Sequence, residues 1–181
     1  MAFKVKSVLD LCEAARRLGN GAASADAIAK LIAAAHAGDT IEELFNRMIA
    51  EARHDLARHK DPALQVERRA RIAGLTGEKD DFDRAIGLIP EIKHPCARAR
   101  AKGLVVQAYL DAGMTDKARD FARTIKSVFW GAEAWIGICR KSRNPYDLQR
   151  AVARCEGTEH TRGIQDPLAK EEVQAQIRAL Q

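Results

Sequence analysis

Apolar residues recur at intervals of three and four along nearly the whole chain, and no stretch sustains the two-residue alternation of a half-buried strand. That periodicity leaves few options beyond helix packed on helix. Val8, Leu11, Cys12, Ala15 and Leu18 form one stripe, ended by Gly19-Asn20-Gly21. Ser24 is placed to cap a second helix through Ile28, Leu31, Ile32 and Ala35. Thr40 and Glu43 have the spacing of a capping box, in which each side chain satisfies a free backbone N–H of the other's turn. The helix they open runs through Leu44, Phe45, Met48, Ile49, Ala52 and Leu56.

Proline marks further starts, because its missing N–H has no partner in a first helical turn anyway. Asp61-Pro62, Asn144-Pro145 and Asp166-Pro167 pair a capping side chain with a first-turn proline, and His94-Pro95 has the proline alone. Pro90 is expected to end a short helix begun near Asp81, while Gly77, Gly113 and Gly157 suit helix stops. The punctuation predicts about nine helices with short connections.

The chain also matches itself at a step of 33 residues. Arg84-Ala85, Lys117-Ala118 and Arg150-Ala151 correspond, followed by Ile89, Ala122 and Cys155. In the preceding helices Ile72-Ala73, Val105-Val106 and Ile138-Cys139 correspond. A helix pair cannot bury both its faces alone, so small apolar residues at fixed offsets point to pairs stacked on pairs.

Over roughly residues 63–157 the chain resembles the tetratricopeptide repeat family. The closest copy is ARAKGLVVQAYLDAGMTDKARDFARTIKSVF, with Tyr109 near the end of its first helix and Ala118 nine residues later in its second. Thr76 and Ser142 take the Tyr109 position in the flanking copies, and the step is one residue shorter than the family's usual 34. The resemblance implies an all-α, right-handed α-solenoid of antiparallel helix pairs that serves as a scaffold for a partner. On this reading residues 1–181 are one helical-repeat domain: divergent helices or a cap over 1–60, repeats over 63–157, and a capping helix over 166–181.

Composition adds exclusions. Aromatic residues are only 5% of the chain, and the small alanines that replace them favour helix over sheet. Thirty basic against 25 acidic residues leave +5, most of it beyond residue 120, a mild excess compatible with nucleic acid without implying it. The cysteines at 12, 96, 139 and 155 form no CxxC pair and suit a reducing compartment. Asp10 and Glu13 interrupt the first apolar segment, so it does not read as a signal peptide. No run approaches the roughly 20 apolar residues of a membrane span, which makes the cytoplasm the expected location.

No nucleophile elbow, phosphate loop, dinucleotide fingerprint or zinc-protease motif is present, so neither an enzyme nor a cofactor is expected. Glu51 to His54 and Glu91 to His94 share the Glu-x-x-His spacing of carboxylate-bridged di-iron bundles. Prolines 90 and 95 flank the second pair, however, and His54 and His59 point about 140° apart on a helix, so solvated histidines are expected and no metal site. Glu78, Asp80, Asp81 and Asp83 are read as complementing a helix N-terminus, and Trp130 and Trp135 as core.

In the helix after Pro95, the core stripe is expected to be Ala97, Ala101, Leu104 and Ala108. Arg100, Gly103, Gln107 and Asp111 make a separate ridge; one step on stand Glu133, Ile136, Arg140 and Asn144. The family resemblance implies that this ridge lines a concave groove binding a protein or peptide, an acidic one suiting its arginines, through Arg100, Gly103, Gln107, Asp111, Glu133, Ile136, Arg140 and Arg143. Gly103 would supply a small floor and Ile136 an exposed apolar contact. The alternative is a nucleic-acid-binding surface on Arg140, Lys141, Arg143, Arg150 and Arg154, the densest basic patch.

Overall fold

The capping residues act where the sequence puts them. In the computed structural model, which describes residues 6–18, 25–158 and 161–181, Thr40 and Glu43 complete the reciprocal capping box. The Asp61, Asn144 and Asp166 side chains accept from the backbone N–H groups of Ala63, Tyr146 and Leu168, at 2.9–3.0 Å. Ten α-helices result among the described residues: α1 (Val8–Leu18), α2 (Ala25–His36), α3 (Ile41–Leu56), α4 (Pro62–Thr76), α5 (Lys79–Leu88), α6 (Pro95–Asp111), α7 (Thr115–Ala122), α8 (Val128–Ser142), α9 (Pro145–Glu156) and α10 (Pro167–Arg178). That is one more than the punctuation suggested. Pro90 sits in a single 3-10 turn, Ile89–Glu91, after α5. Gly77 and Gly113 take the left-handed backbone that ends α4 and follows α6, with φ of 72° and 75°. The expected stop at Gly19-Asn20-Gly21 and the Ser24 cap lie outside the described residues.

Among the described residues the strand pairing is limited to a two-residue antiparallel ladder, Gly157–Thr158 with Thr161–Arg162. Beyond the ladder, α10 packs on α8 and α9. Gly163 is obligatory there, since a Cβ would stand 2.4 Å from the Glu156 carbonyl carbon.

Helices α4, α6, α8 and α10 form a row in which each packs on the next, while α5, α7 and α9 each bridge two successive members. Gly74 brings α4 close to α6: a Cβ there would lie 3.2 Å from the Ala108 Cα. α6 is therefore buried on several sides, with Ala99, Ala101, Val105, Val106, Ala108, Tyr109 and Leu110 all inside. Ala97 and Leu104, expected in its core stripe, are only half-buried. Tyr109 stacks on Phe82 of α5 at 4.2 Å and meets Phe121 of α7 edge-on at 6.2 Å, so one ring ties three helices together.

One apolar core runs from α4 to α10, and a second joins α1, α3 and the Ile72–Leu75 side of α4. The apolar residues matched by the 33-residue step are all buried, with Ala85, Ala118 and Ala151 completely so, while Arg84, Lys117 and Arg150 beside them are exposed. In α2, Ala34 and Ala35 pack on the second core while Ile32 remains exposed, contrary to its expected place in the stripe; the side chains of Ile28 and Leu31 lie outside the described ones.

Two buried carboxylates recur at twice the step. Asp147 on α9 is held by Arg119 of α7 at 2.8 Å, and Asp81 on α5 by Arg53 of α3 at 2.5 Å. Ser142 and Thr76 correspond as well, each hydroxyl accepting the backbone N–H two residues on. Of the acidic cluster expected to serve a helix end, Asp80 and Asp81 stand in the first turn of α5, while Glu78 makes no side-chain cap and joins Asp81 in holding Arg53.

Candidate functional site

Two shallow cavities run side by side across the row. The first, about 190 Å³, lies between α4 and α6, with Asp61, Leu64 and Glu67 on one wall and Arg100, Ala101 and Leu104 on the other. The second, about 170 Å³, lies between α6 and α8 and is lined by Arg100, Gly103, Leu104, Gln107, Trp130, Glu133 and Gly137, among others. Arg100 and Leu104 of α6 line both, so the two cavities adjoin across that helix, and together they make up the candidate groove. Glycine makes this possible: at Gly103 and Gly137 the groove floor is backbone, and a Cβ would already touch Trp130 or Leu110.

The floor is apolar and the rim polar and mixed in sign. Arg100 is exposed and stands 3.9 Å from the Glu67 carboxylate, a loose pair. The Gln107 Nε2 donates to Asp111 at 2.9 Å. Gln176 of α10 donates to Glu133 and accepts from Arg140, both at 2.8 Å, which closes the α8 end of the groove with a polar chain. Burial pushes the Glu133 carboxyl above its ordinary value, Gln176 and Arg140 pull it down, and Glu172 adds to the upward push; the net direction is up.

Of the ridge residues expected from sequence, Arg100, Gly103, Gln107 and Glu133 share one cavity. Asp111 and Arg140 join it through the hydrogen bonds just described. Ile136 does not: it is completely buried, and Gly137 takes its place on the groove wall. Stepping by 33 from Gly103 lands one residue short, on the side of α8 turned into the core. Arg143 is exposed but ends α8 in the left-handed conformation, with φ of 53°, and lines neither cavity. Leu104, Trp130 and Gly137 were missed. Gly137 carried a signal, because glycine inside a helix costs about 1 kcal/mol against alanine and marks a close approach. Trp135 is core, as expected, whereas Trp130 is half-buried beside Gly103.

The basic patch is divided in space. Arg154 lies against Gly131 in the first turn of α8, whereas Arg140 is in the last, about 13 Å further along the axis. Arg150 is turned onto the Tyr146 ring, 4.9 Å from its centroid. Glu51, His54, Glu91 and His94 are all exposed, and among the described residues no three His, Cys, Asp or Glu side chains converge in a way that would hold a metal ion. No described helix is long and apolar enough to cross a membrane. Compared with protein-family models, with curated proteins and with solved structures, the chain shows no significant match to any.

Proposed function

We propose that this protein is a non-catalytic interaction scaffold: an α-solenoid of antiparallel helix pairs whose first helices present one groove to a peptide or protein segment. The observation that carries this reading is the pair of adjoining cavities over α4, α6 and α8, which share Arg100 and Leu104. The tandem reading of residues 63–157 is supported by the burial of the matched apolar residues and by the spacing of the buried Asp81 and Asp147, each held by an arginine 28 residues before it. α10 stands where a next first helix would stand, packed on α8 and α9, which suits a cap.

The groove favours an apolar anchor laid over Leu104 and the two glycines, flanked by polar groups of both signs. A carboxylate would find Arg100, whose planar fork can hold it through two parallel hydrogen bonds and whose hold on Glu67 is weak. A long polyanion suits it less, since Asp61, Glu67 and Glu133 line the same groove. The division of the Arg140–Arg154 patch likewise favours a protein partner over nucleic acid.

The test is selection from a displayed random peptide library on the wild-type protein, with counter-selection on Gly137→Phe. Recovered peptides should share an apolar anchor and bind Gly137→Phe and Arg100→Glu more weakly. Peptides that bind all three proteins alike would remove the groove from the account.

A further inference from the structure

A larger cavity opens on another side of α6, between the N-terminal ends of α6 and α8. Its volume is about 530 Å³, within the range of small-ligand sites, and Cys96, Arg98, Lys102, Lys126 and Ser127 contribute to its lining. No acidic residue lines it. Among the described residues none of the three cations forms an ion pair. Arg98 is anchored instead by the Ile92 carbonyl at 2.8 and 3.0 Å, and Lys102 by the Thr124 carbonyl at 2.9 Å. Neutral acceptors fix the positions of these side chains while leaving their charge uncompensated. The effect registers on Lys102, whose ammonium is held below its usual range by burial first and then by the positive charges of Lys126 and Arg98.

The backbone adds to the same field. Pro95 begins α6 and Ser127 caps α8, so two helix N-termini meet the cavity, and His94 gives α6 no side-chain cap. We propose that this cavity is a binding site for the phosphoryl group of a small phosphorylated molecule. A dianionic phosphoryl group matches three clustered cations and two helix ends better than a single carboxylate does, and arginine holds phosphate through paired hydrogen bonds. The volume exceeds what a bare ion fills. The lining has no aromatic ring on which a nucleic-acid base would stack, which favours a small ligand over a strand. The site is separate from the groove and does not depend on it.

Cys96 supplies the readout, because it lines the cavity and is exposed while Cys139 and Cys155 are buried and Cys12 is half-buried. Alkylation of Cys96 by iodoacetamide, followed peptide by peptide in the full chain, should slow severalfold with inorganic pyrophosphate relative to potassium chloride of equal ionic strength. The midpoint of thermal unfolding should rise in parallel. Lys126→Met, an exposed position that leaves folding intact, and Lys102→Met should each abolish the protection. Lys117→Met, with the same change of charge on the exposed side of α7, should retain it. Equal protection by chloride, or protection surviving in Lys126→Met, overturns the proposal. So does equal loss in Lys117→Met. A single-stranded oligonucleotide that protects Cys96 better than pyrophosphate at equal phosphate concentration would overturn the assignment to a small ligand.

Discussion

Arg119 of α7 grips the fully buried Asp147 of α9 with two guanidinium nitrogens, at 3.0 and 2.8 Å, and Ser142 donates to the same carboxylate. Two steps of the register earlier, Arg53 holds Asp81; at the step between, the corresponding residues are Ile86 and Met114, partly buried against the core. Positions spaced 33 residues apart in the sequence thus carry a buried ion pair twice and two partly buried apolar residues once. A buried pair must recover a desolvation cost of several kcal/mol per ion, so an apolar pair of similar volume is often no worse.

Removing one partner is a different matter. Arg119→Met leaves Asp147 buried with only Ser142 and should cost about 3–5 kcal/mol, towards the lower end because Arg119 keeps some solvent contact. The double change Arg119→Ile with Asp147→Met, which copies the intermediate step, should cost far less than the single one. Urea denaturation of the three proteins decides it; equal losses in single and double variants would mean that the position has no apolar solution.

Ala118→Leu should overpack the contact between α6, α7 and α8 and cost about 1–3 kcal/mol. Ala85→Leu and Ala151→Leu should behave alike, since all three alanines are completely buried. A neutral result at any of them in chemical denaturation would remove that position from the register.

Two carboxyls should respond to pH in opposite senses. At Asp147 burial raises the pKa, but hydrogen bonds from Arg119 and Ser142 outweigh it, so the folded value lies below the ordinary 3.8. Its contribution is full above 3.8 and is lost as pH falls through the folded value. Glu133 is raised above 4.5, so the folded state favours its protonated form, and stability attributable to it is lost as pH rises through the folded value. Glu133→Gln should therefore match or exceed the wild type at neutral pH, with the gain shrinking towards pH 4.5. Thermal midpoints of the two proteins from pH 4 to 8 would show it, and a gain independent of pH would contradict the assignment.

In the groove, Gly137→Ala should be nearly silent, because its Cβ would meet Leu110 and Gln107 at ordinary contact distances of 3.5 and 3.6 Å. Gly137→Phe should fill the α6–α8 half of the groove and weaken selected peptides at least tenfold, about 1.4 kcal/mol, without a matching loss of stability. Fluorescence titration beside urea denaturation separates the two effects; an undiminished affinity would place the peptide elsewhere.

Much of the fold was legible in the residues. Caps, first-turn prolines and αL glycines act within one helical turn, so Thr40–Glu43, Asp61-Pro62, Asp166-Pro167 and Gly77 marked their boundaries without reference to the rest of the chain. The apolar residues that the 33-residue step aligns in the two helices of each pair are buried as well, because burial at a helix–helix contact selects small apolar side chains directly. The ridge Arg100, Gly103, Gln107 was visible as the polar seam of a helix otherwise surrounded by neighbours.

What depended on the angle at which one helix meets the next was decided only in three dimensions. A difference of one residue turns a helical side chain by about 100°, enough to send Ile136 into the core and open Gly137 to the groove. The pairing of Arg119 with Asp147, the bracing of Glu133 by Gln176 and the approach of Lys126, from the connection before α8, to Arg98 and Lys102 of α6 around one cavity all join separate segments of the chain. Sequence determines each helix and the stripe it buries; the packing of α4, α6, α8 and α10 determines which exposed residues become neighbours, because that distance and rotation are set by the summed contacts of every helix at once.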